Sequence, residues 1–220
     1  MAAGGDLAGF VQRLFACSGE IAAGICARAT DRRYAAHAPI LRQGDRSDET
    51  YLLVDGRAQA LLYGAEGQLV LLQEFGPGDI FGAIAQPESE PHRADVTAVE
   101  DARAAIFAAL DFLGLIETHA CVALTVTRTL LKQLRAATGR MAERTTLSAV
   151  GRIHAELLRL AGEDQAIRPA PVLAALAVRV NSTRETVSRT INALERRGVI
   201  RRDADALIIL ARRRLEDLVM

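Results

Sequence analysis

Apolar and polar positions follow two different periods along this chain, and the change of period divides it. Leu7, Phe10, Val11, Leu14 and Phe15 recur at helical spacing and predict a first helix, and Ile21 to Ala27 predict a second. From Tyr34 to about Ala108 the pattern breaks into short apolar runs. These are Ile40-Leu41, Tyr51 to Val54, Ala58 to Tyr63, Leu69 to Leu72, Ile80-Phe81, Asp95 to Val99 and Ala102 to Phe107. Turn signals separate them: Gln43-Gly44-Asp45, Asp55-Gly56, Gly64-Ala65-Glu66-Gly67 and Gly76-Pro77-Gly78-Asp79. Short strands at this spacing predict a β-barrel or sandwich.

A helical period returns at Asp111. Leu113, Ile116, Ala120, Ala123, Thr127, Leu130, Leu134, Ala137 and Met141 alternate spacings of 3 and 4 with no proline before Arg144. This heptad seam predicts one long helix paired with a second copy of the chain in a parallel coil. The alternative is a helix packed on its own barrel. Gly114 and Gly139 weaken it by about 1 kcal/mol each relative to Ala, and Gly139 stands where a hinge would be useful. Arg144-Thr145-Thr146 offers a break, Leu147 to Leu160 predicts the next helix, and Pro169-Ala170-Pro171 is a rigid connector.

In the last third, Leu173, Leu176 and Val180 make a short apolar face, followed by Asn181, a residue type that tolerates a left-handed turn. Thr183 can cap a helix, and Val187, Ile191 and Leu194 form its buried stripe. Gly198 stops it. Val199 to Arg202 and Leu207 to Leu210 read as two strands joined by Asp203 to Ala206, and Ala211 to Val219 as a closing helix. This is helix, turn, helix and wing. Arg184, Glu185, Ser188 and Arg189 fall off the buried stripe near the N-terminal end. Arg can bond guanine O6 and N7, and Glu can accept from cytosine N4. A solvated surface helix is the bland reading of such charges, and the flanking helix, turn and wing turn the odds toward DNA.

Composition sharpens this picture. Net charge is zero over 220 residues, but residues 151–220 hold 13 Arg against 9 acids, and residues 1–150 hold 14 basic residues against 18 acids. Such asymmetry is expected when one part meets phosphate, and Arg179, Arg196, Arg201 and Arg202 are its candidate contacts. Cys17, Cys26 and Cys121 are odd in number and far apart, which fits a reduced compartment rather than a disulfide framework. No signal-peptide pattern and no run near the ~20 apolar residues of a membrane span is present. A cytoplasmic protein without a membrane partner is expected. His37, His92, His119 and His154 are scattered without a His-x-His pair. That argues against the metal site of a cupin-type enzyme, and neither a metal site nor a catalytic residue is expected.

The run Arg184-Glu185-Thr186-Val187-Ser188-Arg189, followed by an apolar helix, Arg196-Arg197-Gly198-Val199-Ile200 and a wing, resembles the CRP/FNR family of bacterial transcription regulators. Gly78-Asp79-Ile80-Phe81-Gly82 before a loop and Arg93 resembles that family's cyclic-nucleotide-binding jelly roll, so the likeness covers nearly the whole chain. It implies an α+β fold: an N-terminal jelly-roll β-barrel in 1–110, a long dimerisation helix and hinge in 111–146, and a C-terminal winged helix-turn-helix in 147–220. It implies that Thr183, Arg184, Glu185, Ser188 and Arg189 form the DNA-binding surface of a homodimer. The target would be a two-fold site with a TGTGA-like or TTGA-like half, and RNA polymerase would be a further partner.

The same resemblance outlines an effector site of Gly82, Ala83, Arg93, Ala94 and Thr138. Arg93 matches an Arg that holds a cyclic phosphate through paired bonds. Ala83 stands where a Glu takes the ribose hydroxyl, and Ala94 lacks a hydroxyl donor. Counting back from Gly151-Arg152-Ile153, the base-reading positions fall at Ala137 and Thr138, and Gln133 stands where an Arg often precedes them. The phosphate anchor is kept and much of the ribose and base reading is lost. A cyclic nucleotide such as cyclic AMP, another small effector, and no ligand all stay open. The runner-up is an effector-independent regulator or one sensing a non-nucleotide signal, and a protein-binding regulatory module is the third reading. An iron–sulfur cluster needs four cysteines, and no His has partners at haem-ligand spacing.

Overall fold

The first helix, α1 (Leu7–Phe15), starts where the Asp6 carboxylate accepts bonds from the amides of Ala8 and Gly9 at 3.1 and 3.0 Å. The second, α2 (Gly19–Cys26), is capped by Ser18, whose hydroxyl accepts from Ile21 N. Each cap satisfies amides that have no partner inside the helix. The computed structural model describes residues 6–64, 69–84 and 90–219, so the turn expected at Ala65-Glu66-Gly67 and Pro87 lie outside the described residues. The chain divides into two compact units, Met1–Tyr63 with Leu72–Ala137 and Gly64–Leu71 with Thr138–Met220.

Eight strands follow α2: β1 (Thr30–Tyr34), β2 (Pro39–Leu41), β3 (Glu49–Asp55), β4 (Ala58–Tyr63), β5 (Leu69–Phe75), β6 (Ile80–Gly82), β7 (Asp95–Ala98) and β8 (Ala102–Ala108). They form two four-stranded sheets in the orders β1-β8-β3-β6 and β2-β7-β4-β5. The expected barrel is therefore an open jelly roll. Two of its four edge strands, β2 and β6, are only three residues long, and β2 begins with Pro39, which has no N–H to extend a ladder.

Tyr51 and Leu53 of β3 enter one core with Leu41, Phe75, Phe81, Val96 and Ile106. Leu52 and Val54 alternate into another with Ala105, Phe107 and the α1–α2 helices. Burial on both faces explains the unbroken apolar run Tyr51 to Val54. Leu52 and Leu53 are fully buried, each contributing about 1.5–3 kcal/mol.

The single long helix expected from Asp111 is two helices. α3 (Ala109–Thr118) ends at His119, which is extended, and α4 (Ala120–Thr146) leaves at a bend of 114°. Phe112 and Leu115 of α3 and Val122 and Val126 of α4 all enter one core. A straight helix would carry Val122 about 10 Å beyond Leu115, so the bend lets both pairs reach the same small cluster. Farther along α4, Lys132 Nζ pairs with Asp79 at 3.0 Å and Gln133 Nε2 donates to Ile80 O at 2.9 Å. The early seam positions Leu113 and Ile116 are half-buried, Ile116 against this unit's own core. Leu124, Leu130, Leu131, Leu134 and Met141 remain exposed.

The second unit holds α5 (Ala149–Ala161), capped by Ser148, then β9 (Ala166–Ile167), α6 (Leu173–Arg179), α7 (Arg184–Arg196), β10 (Ile200–Arg202), β11 (Leu207–Ile209) and α8 (Arg212–Asp217). Its small sheet runs β10-β11-β9. Ile153, Leu157, Leu176, Val187, Ile191, Leu194, Leu207 and Leu215 share one core. Among the described residues, no single helix is long and apolar enough to cross a membrane.

Candidate nucleic-acid interface and effector site

The turn between α6 and α7 uses the residue the sequence singled out, with Asn181 at φ +49°. Thr183 then caps α7, its hydroxyl accepting from Thr186 N at 3.1 Å. Val187, Ile191 and Leu194 are buried, and Thr190 joins them by donating its hydroxyl to Thr186 O at 2.9 Å. Arg184, Glu185 and Arg189 are exposed and Ser188 is half-buried at the same end. The structure thus brings all five predicted residues into the first two turns of one helix. Glu185 and Arg189 form an i,i+4 pair at 3.5 Å with side chains 76% and 71% exposed. An exposed pair of this kind contributes only a few tenths of a kcal/mol, so base edges can displace it at little cost.

Arg152, in the sequence only a landmark between Gly151 and Ile153, is the clamp of this candidate interface. From α5 its guanidinium donates to Val180 O at 2.9 Å, to Asn181 O at 3.2 Å and to Leu147 O at 3.0 Å. One side chain thereby holds both carbonyls of the tight turn against the start of α5. A charged donor to three carbonyls was invisible in the sequence because its acceptors are backbone groups.

The basic residues proposed for phosphate differ in their partners. Arg202 donates to the Glu195 carboxylate and, at 2.8 Å, to Asn192 Oδ1, bracing β10 against α7. This pairing holds the Glu195 carboxyl below its ordinary range, with the Arg202 side-chain bond as the main cause. Arg201 pairs with Asp203 at 3.2 Å and Arg179 with Glu156 at 3.4 Å. Arg196 is exposed near the end of α7.

The effector residues fall in both units. Gly82 ends β6 with φ +92°, opposite Thr50 of β3. Ala83 is buried, its amide donating to Glu49 O at 2.9 Å and its carbonyl accepting from the Thr50 hydroxyl at 3.3 Å. Beside them the Tyr51 and Phe81 rings stack at 5.2 Å, with Phe75 against Phe81 at 4.6 Å. Arg93 is exposed, its side chain 87% accessible, and pairs with Glu90 at 3.3 Å. Ala94 is half-buried against the inter-sheet core. Thr138 belongs to the second unit, on an exposed part of α4.

The three cysteines are free and half-buried beside the α1–α2 core. Burial is the main cause that raises the Cys17 and Cys26 thiols above their ordinary range, which keeps them protonated and poorly reactive at neutral pH. Among the described residues, no group of three or more His, Cys, Asp or Glu is arranged to hold a metal ion.

Comparison with known proteins matches residues 31–119 to the cyclic nucleotide-binding domain and residues 151–218 to the Crp-like helix-turn-helix domain. A relative named cyclic AMP receptor protein, from Thermus thermophilus, is 32% identical over 175 residues, covering 77% of this chain and 79% of that protein. Among solved structures, the c-di-GMP responsive global regulator CLP of Xanthomonas campestris superposes with a TM-score of 0.77 at 18% identity, over 87% of this chain and 99% of that one. FixK2 of Bradyrhizobium japonicum gives 0.71 at 22% identity, over 87% and 98%.

Proposed function

The chain belongs to the CRP/FNR family of transcription regulators, and from that premise we propose that it reads a two-fold DNA site as a homodimer controlled by an effector in its jelly roll. It is a DNA-binding regulator and not an enzyme. The observation that carries this reading is α7, with Val187, Ile191 and Leu194 buried and Arg184, Glu185 and Arg189 presented outward at its capped end. Two such helices about 34 Å apart enter successive major-groove faces. Arg184 and Arg189 suit guanine edges and Glu185 suits cytosine, while Ser188 and the cap residue Thr183 complete the surface.

A second copy of the chain is supported by the exposed apolar positions of α4. Leu124, Leu131, Leu134 and Met141 are separated by 7, 3 and 7 residues, the repeat of a coiled-coil seam. The proposal includes a cytoplasmic dimer that has RNA polymerase as a further partner, in keeping with a regulator of transcription.

For the effector, Gly82, Ala83, Arg93, Ala94 and Thr138 are the proposed residues. The Thermus relative's name makes cyclic AMP the first ligand to test, and the c-di-GMP response of the Xanthomonas protein makes a different nucleotide the second. Arg93, exposed and paired with Glu90 across an accessible ion pair, can swing onto a phosphate. The test is fluorescence anisotropy of a palindromic TGTGA-type duplex, with and without cyclic AMP. We expect tighter binding with the nucleotide and loss of that gain in Arg93→Ala. Equal affinity in both conditions points to the alternative, an effector-independent regulator or one with a different signal. Failure to bind the TGTGA-type and a TTGA-type duplex alike would overturn the DNA reading.

A further inference from the structure

The geometry points to a second ligand site in the jelly-roll unit: a basic cleft that binds a small polyanion, apart from the residues assigned to the effector. The cleft, of about 260 Å³, is lined by Arg32, Arg42, Arg46, His92, Glu49 and Tyr51 among others. Arg32 comes from β1, Glu49 and Tyr51 from β3, and Arg42 and Arg46 from the segment joining β2 to β3. None of the five residues proposed for the effector lines it.

Its electrostatics run against its surroundings. Residues 1–150 carry more acid than base, yet this cleft gathers three guanidinium groups. Of its two carboxylates, Glu49 is engaged by the Tyr51 hydroxyl and lies 3.5 Å from the Ser47 hydroxyl, which leaves Asp45 as the other acid. Arg42 and Arg46 have no ion-pair partner among the described residues. Guanidinium forks match phosphate and carboxylate oxygens in paired bonds.

The wall is ordered and holds an unused polar atom. His92 N donates to Asp45 O at 2.9 Å, Gly44 N donates to His92 O at 2.8 Å, and Gln43 N donates to the Asp95 carboxylate at 2.6 Å. His92 Nε2 is buried and has no hydrogen-bond partner among the described residues. The volume falls just below the ~300 Å³ at which pockets hold drug-sized molecules. That size suits a phosphate or polycarboxylate of about a dozen heavy atoms or fewer.

The experiment is isothermal titration of the full chain with pyrophosphate and, separately, with citrate at fixed low salt. Wild type, Arg42→Ala/Arg46→Ala and Arg93→Ala are compared after circular dichroism shows that each is folded. We expect one site per chain for at least one probe, with Kd raised ten-fold or more in the double variant and unchanged in Arg93→Ala. Preference for pyrophosphate assigns a phosphate ligand, and preference for citrate a carboxylate. Binding of neither probe, binding that survives the double variant, or binding lost in Arg93→Ala overturns the proposal. The last outcome would assign the anion to the effector residues instead, and none of the three bears on DNA recognition.

Discussion

A Cβ at Gly82 would lie 2.4 Å from the Glu49 carbonyl oxygen, and the residue's φ of +92° is one that L side chains rarely adopt. The glycine assigned to the effector site is therefore demanded first by strand pairing between β6 and β3. Gly82→Ala should cost roughly 1–3 kcal/mol, read as a lower urea midpoint with no ligand present. Arg152 is the counterpart in the second unit. Truncation to Ala leaves the carbonyls of Leu147, Val180 and Asn181 without their donor, for an expected loss of about 2–3 kcal/mol. Amide exchange should rise around residues 180–182, and DNA affinity should fall although Arg152 lies outside the proposed base-reading set. A third residue-scale effect depends on pH. Arg103 donates to both Asp31 oxygens, with the Nε and Nη2 bonds at 2.9 and 2.6 Å, and this side-chain bond holds the Asp31 carboxyl below its ordinary range. The stabilisation is complete above the ordinary aspartate pKa near 3.9 and fades as pH falls through the lowered value. Wild type should thus exceed Asp31→Asn in stability at neutral pH, and the difference should vanish in strong acid.

Elements built on strong periodicity were legible from sequence: α1, α2, α5, α7 and every strand with two or more consecutive apolar residues among those predicted. The missed ones lacked that signal. β1 reads Thr30-Asp31-Arg32-Arg33-Tyr34, four of its five residues exposed, and it is held by backbone pairing to β8. β9 is two residues long and pairs with β11. The bend at His119 was also hidden, because the heptad spacing continues across it and only the shared core of Phe112, Leu115, Val122 and Val126 requires it. At the sites, the proposed DNA-facing set was readable because it is contiguous. Arg152 and the basic cleft were not, since they join residues far apart in the chain. Two element-scale results are expected. Thr183→Ala removes the α7 cap and should cost about 1 kcal/mol, with weaker DNA binding. At Gly139 a Cβ meets nothing within 4 Å and α4 is continuous, so Gly139→Ala should stabilise by roughly 0.5–1 kcal/mol in thermal melts.

For the whole molecule, the proposed assembly rests on α4 and its reading of DNA on charge. Leu131→Glu in the exposed apolar stripe should convert the dimer to a monomer in analytical ultracentrifugation and abolish tight binding to the two-fold duplex. A dimer that survives this change would place the interface elsewhere. The excess of Arg in residues 151–220 should appear as a steep fall of DNA affinity with added salt. Where copies of the chain meet is also a matter of where they are prevented from meeting. β1 is one of the two outer strands of its sheet, and an unpaired strand edge is a template for runaway fibre growth. Its Asp31, Arg32 and Arg33 put charge along that edge, so stacking another chain there would strip those charges of water. The polarity that concealed this strand thus serves as protection during synthesis and crowding, and it leaves self-association to a surface that closes after two chains rather than one that can propagate without limit.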